Sequence, residues 1–487
     1  MIKKQSNLFE NSNIKSDRTK ENYQAYHFNN EGLNFLSKGL LDAASSCFIQ
    51  AIACDDQFTN AYINLGNLFL NKGMPFQAEK NLRKALKLEP QNPLVHYNLA
   101  IILGYLNDIN GSISSYKKCI SLEPKNTKAL RFLGNCLKDN KDFGEALKIY
   151  RKWEKIEPQN PEVRFCQSSI HIRHGRFNLG WKMYEAGLQN NIREMFKDYH
   201  NDPVEIWNGK PFNGTLMVYG EQGIGDQILF GTLLQDLSMI QKSISIQVDA
   251  RLEKLFQRTF PNINVFPLGS NIKKSEHKKK ISMGSLCKFF RSHTNDFKNS
   301  PFQRYFSDQQ LNEKISKILP FTSGLKIGLS WHTFATRGGE ERSLSSHQVS
   351  NIISNNNNFF INIQYGKVDY MIDEIEKLSG KKLYSLPDVD ITKNIEALIS
   401  LIENCDLIIT IDNSTAHLAA SLGKPVWVLL PYSADFRWFE KIEFSLWYEN
   451  TTLIRQDKNR VWDGSIKKIQ DAINTAPFST NKSCRRN

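Results

Sequence analysis

DLIITIDNSTAHLAASLGKPVWVLLP, residues 406–431, holds the pattern from which the rest of the chain is read. Leu407–Ile411 is a continuous apolar, β-branched run, as a strand buried on both faces requires. Asp412-Asn413-Ser414 stops it with side chains that satisfy the free N–H groups of a helix start. Thr415 to Leu422 suits a helix, Gly423 stands where a C-terminal cap belongs, Pro425 blocks continuation, and Val426–Leu430 reads as a second buried strand. Strand–helix–strand units present their ligand sites at the carboxyl ends of their strands. A hydroxyl-rich helix N-terminus there suits an anion such as a diphosphate, and His417 adds a donor in the first turn. The alternative is a buried crossover whose Asp-Asn-Ser does no more than cap a helix.

Outward from this stretch, the N-terminal third repeats itself. Leu88-Glu89-Pro90, Leu122-Glu123-Pro124 and Ile156-Glu157-Pro158 recur every 34 residues, defining units 27–60, 61–94, 95–128 and 129–162 and a degenerate fifth from Val163. Gly66, Ala100 and Gly134 in each first helix, and Ala78, Ser112 and Ala146 in each second, fall where helices must approach closely. The closing proline ends one unit and restarts the next. The length and the small–Ala–Pro pattern resemble the tetratricopeptide repeat (TPR). That resemblance implies an all-α TPR solenoid over 27–200, whose concave face takes a protein partner, with a spacer role as the alternative.

At 487 residues, length alone suggests roughly three domains. Hydrophobic content of 40% is enough for real cores, yet no run approaches the ~20 apolar residues of a membrane span. Residues 1–26 lack an apolar h-region, so they read as a disordered lead-in rather than a signal peptide, and 478–487 as a polar tail. The eight cysteines show no CxxC pairs, which points to reduced thiols and a cytoplasmic protein, peripheral at most to the inner face of a membrane. A net charge of +13 favours acidic partners, but the lysines are scattered. The KKSEHKKK run at Lys273–Lys280 reads as a solvated loop, not a specific nucleic-acid patch.

Two further loops carry chemistry. After the strand Thr215–Tyr219 comes Gly220-Glu221-Gln222-Gly223-Ile224-Gly225-Asp226, then an apolar-periodic helix. Glycines at offsets 0, 3 and 5 miss the dinucleotide fingerprint, and Asp226-Gln227 stands where a phosphate loop needs Lys and Ser/Thr. A carboxylate repels phosphate, so the loop suits aiming Asp226 at a hydroxyl; alternatively Asp226 caps its helix. Downstream, Leu325–Trp331 reads as a strand followed by HTFATRGGEERS, where Arg337 or Arg342 suits clamping a diphosphate. Phe359–Ile363 is another strand, ending at Gln364-Tyr365-Gly366. Asp388-Val389-Asp390 mimics a metal-binding DxD but is read as capping the following helix. Trp438 and Trp447 flank a cleft or belong to the core.

YGEQGIGDQILFGTLLQDL (residues 219–237), KIGLSWHTFATRGGEERS (326–343) and DNSTAHLAASLGKPVWVLLP (412–431) together resemble the glycosyltransferase family 9, heptosyltransferase-like group. The resemblance implies a multidomain chain: the solenoid, then an α/β GT-B module of two Rossmann-like domains, an acceptor domain over 201–320 and a donor domain over 321–477. It implies an inverting transfer from a nucleotide-sugar donor to a glycan or protein acceptor, with no cofactor and no metal. By motif position Asp226 is the catalytic base, and Arg342, Ser343, Gln364, Asp412, Ser414, Thr415 and His417 form the donor site. Gly220, Glu221, Gln222, Gly223 and Gly225 form the acceptor loop. Ile281–Phe290 matches the family's cleft loop but lacks its Ser-Leu-Pro wording, leaving lid and core packing both open. The alternatives are a protein modifier like O-GlcNAc transferase, and a TPR scaffold with an inactive module.

Overall fold

The computed structural model describes residues 20–475 apart from 194, 196, 222, 271–275, 301–302, 336–338, 355 and 388. The chain divides into two compact units between Val163 and Arg164.

Among the described residues of the first unit, eight helices form four pairs: Lys20–Ser37 with Leu41–Cys54, Thr59–Asn71 with Pro75–Leu88, Pro93–Tyr105 with Ile109–Leu122, and Thr127–Asp139 with Phe143–Ile156. The small residues do the work their spacing implies. A Cβ on Gly66 would sit 3.1 Å from Leu82 Cγ, and one on Gly134 2.3 Å from the Tyr150 ring. Ser112, fully buried, donates its hydroxyl to the Ala100 carbonyl at 2.7 Å. The Glu-Pro-x-Asn that closes three of the units is a clasp. Asn92 Oδ1 accepts from Leu94 N at 2.9 Å while its amide donates to Glu89 at 2.6 Å. Asn126 repeats this with Ala129 N and Glu123, both at 2.8 Å, and Asn160 donates to Glu157 at 2.7 Å. Each clasp caps a new helix while tying it to the end of the previous one.

The second unit contains two five-stranded, all-parallel sheets. One comprises β1 (Glu205–Ile206), β2 (Leu216–Tyr219), β3 (Ile244–Val248), β4 (Asn264–Pro267) and β5 (Lys279–Ser282), in the order β1-β5-β2-β3-β4. The other comprises β6 (Lys326–Ser330), β7 (Phe359–Asn362), β8 (Leu407–Ile411), β9 (Val426–Leu430) and β10 (Thr451–Arg455), in the order β10-β9-β8-β6-β7. Strand order reverses beside β2 in the first sheet and between β6 and β8 in the second. Those switch points are where open parallel sheets place their ligands. They coincide with the loops holding Gly220–Asp226, Ser330 and Asp412.

One hydrophobic core runs through both halves of this unit, joining Ile228, Leu229 and Phe230 of the Ile224–Gly231 helix to Ala416, Ala419 and Ala420 of the Ser414–Ser421 helix. Tyr305, fully buried, straps the two: its N–H donates to Ser421 O at 2.8 Å and its hydroxyl to Ile228 O at 3.1 Å.

Three expectations are corrected here. Residues 20–26, placed in a disordered lead-in, belong to the first helix. The solenoid boundary expected at 200 moves to 163, because Ile172, Phe177, Trp181 and Tyr184 enter the α/β core. Lys280, expected in a solvated loop, is buried in β5, where its ammonium donates to Tyr199 O at 2.7 Å and to Asp202 O, while His277 Nε2 meets Asp202 at 2.7 Å. The tail 478–487 and Lys273–Ser275 lie outside the described residues.

Gly134→Ala should destabilise the solenoid by about 1–3 kcal/mol, because the added methyl meets a fully packed ring. Gly144→Ala, on the paired helix with nothing within 4 Å, should instead stabilise by up to about 1 kcal/mol. Urea unfolding of the two variants, followed by helical ellipticity, checks both signs.

Candidate active site

The loop after β2 is shaped by contact. A Cβ at Gly220 would lie 2.8 Å from Gln247 O, and one at Gly225 3.0 Å from His417 Cδ2 and 3.5 Å from Ser414 Cα. Gly223 caps the Ile224–Gly231 helix with extended backbone. Gly225 therefore lets the first turns of two helices, one from each sheet, touch. Glu221 is turned into the core. It is buried, accepts Gly284 N at 2.8 Å, and is ion-paired with buried Arg193, whose guanidinium also stacks on Tyr184 at 4.2 Å. Burial raises the Glu221 pKa above the usual carboxylate range, and Arg193 opposes that rise. Ile281 to Cys287 is buried around this pair, so that segment is core rather than lid. Gln222 lies outside the described residues.

Asp226 keeps 27% of its side-chain surface exposed and pairs through Oδ1 with Arg437 at 2.5 Å. Arg437 reaches Asp435 Oδ1 at 2.5 Å with its other terminal nitrogen, and its buried Nε has no partner among the described residues. Burial raises the Asp226 carboxyl above its ordinary range, while Arg437 pulls it back down. Burial disfavours charge on Arg437 too, but Asp226 and Asp435 hold it protonated. Asp226 stands in the first turn of the Ile224–Gly231 helix, and its Oδ1 is turned to Arg437.

In the second half, Asn413 caps the Ser414–Ser421 helix, accepting Ala416 N at 3.2 Å and donating to Ser330 Oγ at 2.9 Å. Asp412 is buried, accepts Trp438 Nε1 at 2.7 Å, and is raised in pKa by burial and the neighbouring Asp435 charge. Arg342 donates to the Asp412 carbonyl at 3.4 Å. Ser414 is partly exposed at the helix start, and the buried Thr415 hydroxyl has no partner among the described residues.

Three of the expected donor-site residues are engaged by neighbouring protein groups. His417 is packed inside: its ring stacks on Trp438 at 5.0 Å, Nδ1 meets Tyr448 Oη at 3.0 Å, and burial together with Arg437 pushes its pKa down to about 3. It is a neutral imidazole packed in the core. Gln364 is a buried brace, its amide oxygen accepting from Ser330 Oγ, Trp331 N and His332 N. Ser343 ties its own loop, donating to Gly339 O at 2.8 Å and accepting Thr333 N at 3.1 Å. Arg337 and Asp388 lie outside the described residues, and Asp390 caps a turn by accepting Thr392 N at 2.9 Å. Trp447 is core, against Phe297 at 4.9 Å.

The sequence reading missed Arg437, Asp435 and Tyr448. All stand in an aromatic-rich stretch where only the tryptophans drew notice, and neither periodicity nor a Gly-rich loop marks them. Among the described residues no three His, Cys, Asp or Glu side chains gather as a metal site, and no helix is long and apolar enough to cross a membrane.

Comparison with known proteins separates the two parts of the chain. The tetratricopeptide repeat profile matches residues 59–92 and 94–126. Protein FlbA of Caulobacter vibrioides is 24% identical over 334 residues, 64% of this chain and 54% of its own length. Protein O-mannosyl-transferase TMTC3 of Homo sapiens is 31% identical over 96 residues, 20% of this chain and 10% of its own. The chain thus spans about half of one curated relative and a tenth of the other. Among solved structures, MamA is similar at 18% identity over 34% of this chain and 95% of its own, with a TM-score of 0.32. The helical pairs across 59–126 are tetratricopeptide repeats.

The buried His417 gives the unit an acid sensitivity with a definite sign. Its folded pKa is depressed to about 3 from 6.5, so the unfolded chain binds the extra proton first as pH falls, and stability present above pH 6.5 is lost below it. Between pH 7 and pH 5 this group should remove about 2 kcal/mol. His417→Phe should lose that increment, read as a smaller fall in the urea midpoint between the two pH values.

Proposed function

We propose that the α/β unit is a glycosyltransferase with a GT-B, family 9-like arrangement, moving a sugar from a nucleotide-activated donor to an acceptor hydroxyl without a metal. The observation that carries this reading is the Asp226–Arg437 pair, which joins a carboxylate at the switch point of one parallel sheet to a guanidinium at the end of the other. In the reaction, the acceptor oxygen attacks the anomeric carbon while the bond from that carbon to the diphosphate oxygen breaks. The acceptor proton passes to Asp226, and the electron pair leaves on the diphosphate. Burial makes Asp226 a stronger base than a solvated carboxylate, which suits proton acceptance worth typically ~10²–10⁴-fold. Arg437 and Arg342, with the Ser414 helix start, would offset charge on the leaving group.

The tetratricopeptide repeats suit recruitment of a protein, so a protein hydroxyl is the acceptor class we favour, in keeping with the stretch similar to a protein O-mannosyl-transferase. A second reading, a scaffold whose transferase half is inactive, is favoured by the burial of His417 and by the contact of the two helix starts at Gly225.

A panel of nucleoside diphosphates separates the readings. Saturation at about 100 Kd adds about 2.7 kcal/mol to the native state, so at least one should raise the melting temperature by several degrees. Asp226→Ala should abolish transfer while binding persists. The absence of any shift across the panel would leave the scaffold.

A further inference from the structure

We infer that Arg437 is a shared partner: Asp226 holds it while no diphosphate is bound, and a diphosphate takes it over, so that Asp226 is released as a base only in the loaded site. This deepens the function proposed above and rests on it. The three groups are not equivalent. Asp435 is Arg437's neighbour in the chain, accepts its backbone N–H at 3.0 Å as well as a terminal guanidinium nitrogen, and stays with it. Asp226 comes from the other half and reaches the guanidinium through one oxygen. It is the partner that can be exchanged.

The geometry also leaves Arg437 incompletely satisfied. Its Nε is buried without a partner among the described residues, and a planar guanidinium has five donors in a fork that fits two phosphate oxygens side by side. A diphosphate carries more negative charge than a carboxylate and competes well for that fork. Arg342, bonded to the Asp412 carbonyl, is the second guanidinium placed to meet it.

The exchange has a chemical consequence in the useful direction. Arg437 holds back part of the rise in proton affinity that burial gives Asp226, and removing the cation releases the rest. Donor binding would thus activate Asp226, and an acceptor arriving first would meet a base that is still engaged. Such an arrangement orders the substrates, donor before acceptor, and limits idle proton transfer.

The test is affinity for UDP, GDP, CDP, ADP and inorganic pyrophosphate, measured by calorimetry on the full chain. If Asp226 and a diphosphate compete for Arg437, removing the carboxylate's charge should tighten binding of the best probe by about tenfold or more. Asp226→Asn, which keeps shape, and Asp226→Ser, which guards against a folding defect in the first, should both show it. Arg437→Lys should weaken the same probe. Unchanged or weaker binding in both Asp226 variants, with the natural chain still binding, would overturn the exchange and leave the transferase reading standing. Binding by none of the proteins would overturn both.

Discussion

A guanidinium cannot be buried without counter-charge, and the convergence of the two sheets is built around that constraint. Arg437 is drawn in only because two carboxylates meet it, one from its own loop and one from the opposite half. Taking both away would leave an uncompensated charge in a poorly solvated place, at a cost of several kcal/mol. The pair therefore ties the position of the Gly-rich loop to the fold of the other sheet. Asp412 belongs to the same balance, its carboxylate held by Trp438 rather than by a cation.

Close approach is the second constraint. The two helix starts meet because Gly225 carries no side chain, and the solenoid uses the same device at Gly66 and Gly134. In each place a methyl group would push apart elements whose contact decides what lies next to what. At Gly225 the neighbours are Ser414 and His417, so the loop and the helix start are fixed relative to one another by van der Waals contact. Electrostatics then acts between groups already in place.

This division explains what was legible in the sequence. Periodicity and punctuation are local properties, so the 34-residue repeat, the buried strands Leu407–Ile411 and Val426–Leu430, and the helix between them could be read directly. Asp226 was found because it closes the Gly-rich loop after β2, and Asp412 because it directly follows a strand. What could not be read was pairing across the fold. Nothing local distinguishes Glu221, locked to Arg193, from Asp226, left half open. Nor does DNSTAH reveal that its histidine points inward under Trp438 while its asparagine does the capping. Gln364 was chosen for its place at a strand end and Ser343 on the family resemblance, and the polar chemistry of both serves to brace their loops.

Tyr305 has a mechanical consequence. Its backbone and hydroxyl join the two crossover helices through their main chains, and its ring fills the space between them. Hinged halves that swing wide to admit a ligand would have to strip that ring from the core and expose apolar surface on both sides. Traffic into the convergence of the sheets is thus left to side-chain rotation and to the loops around it, with the frame itself held shut.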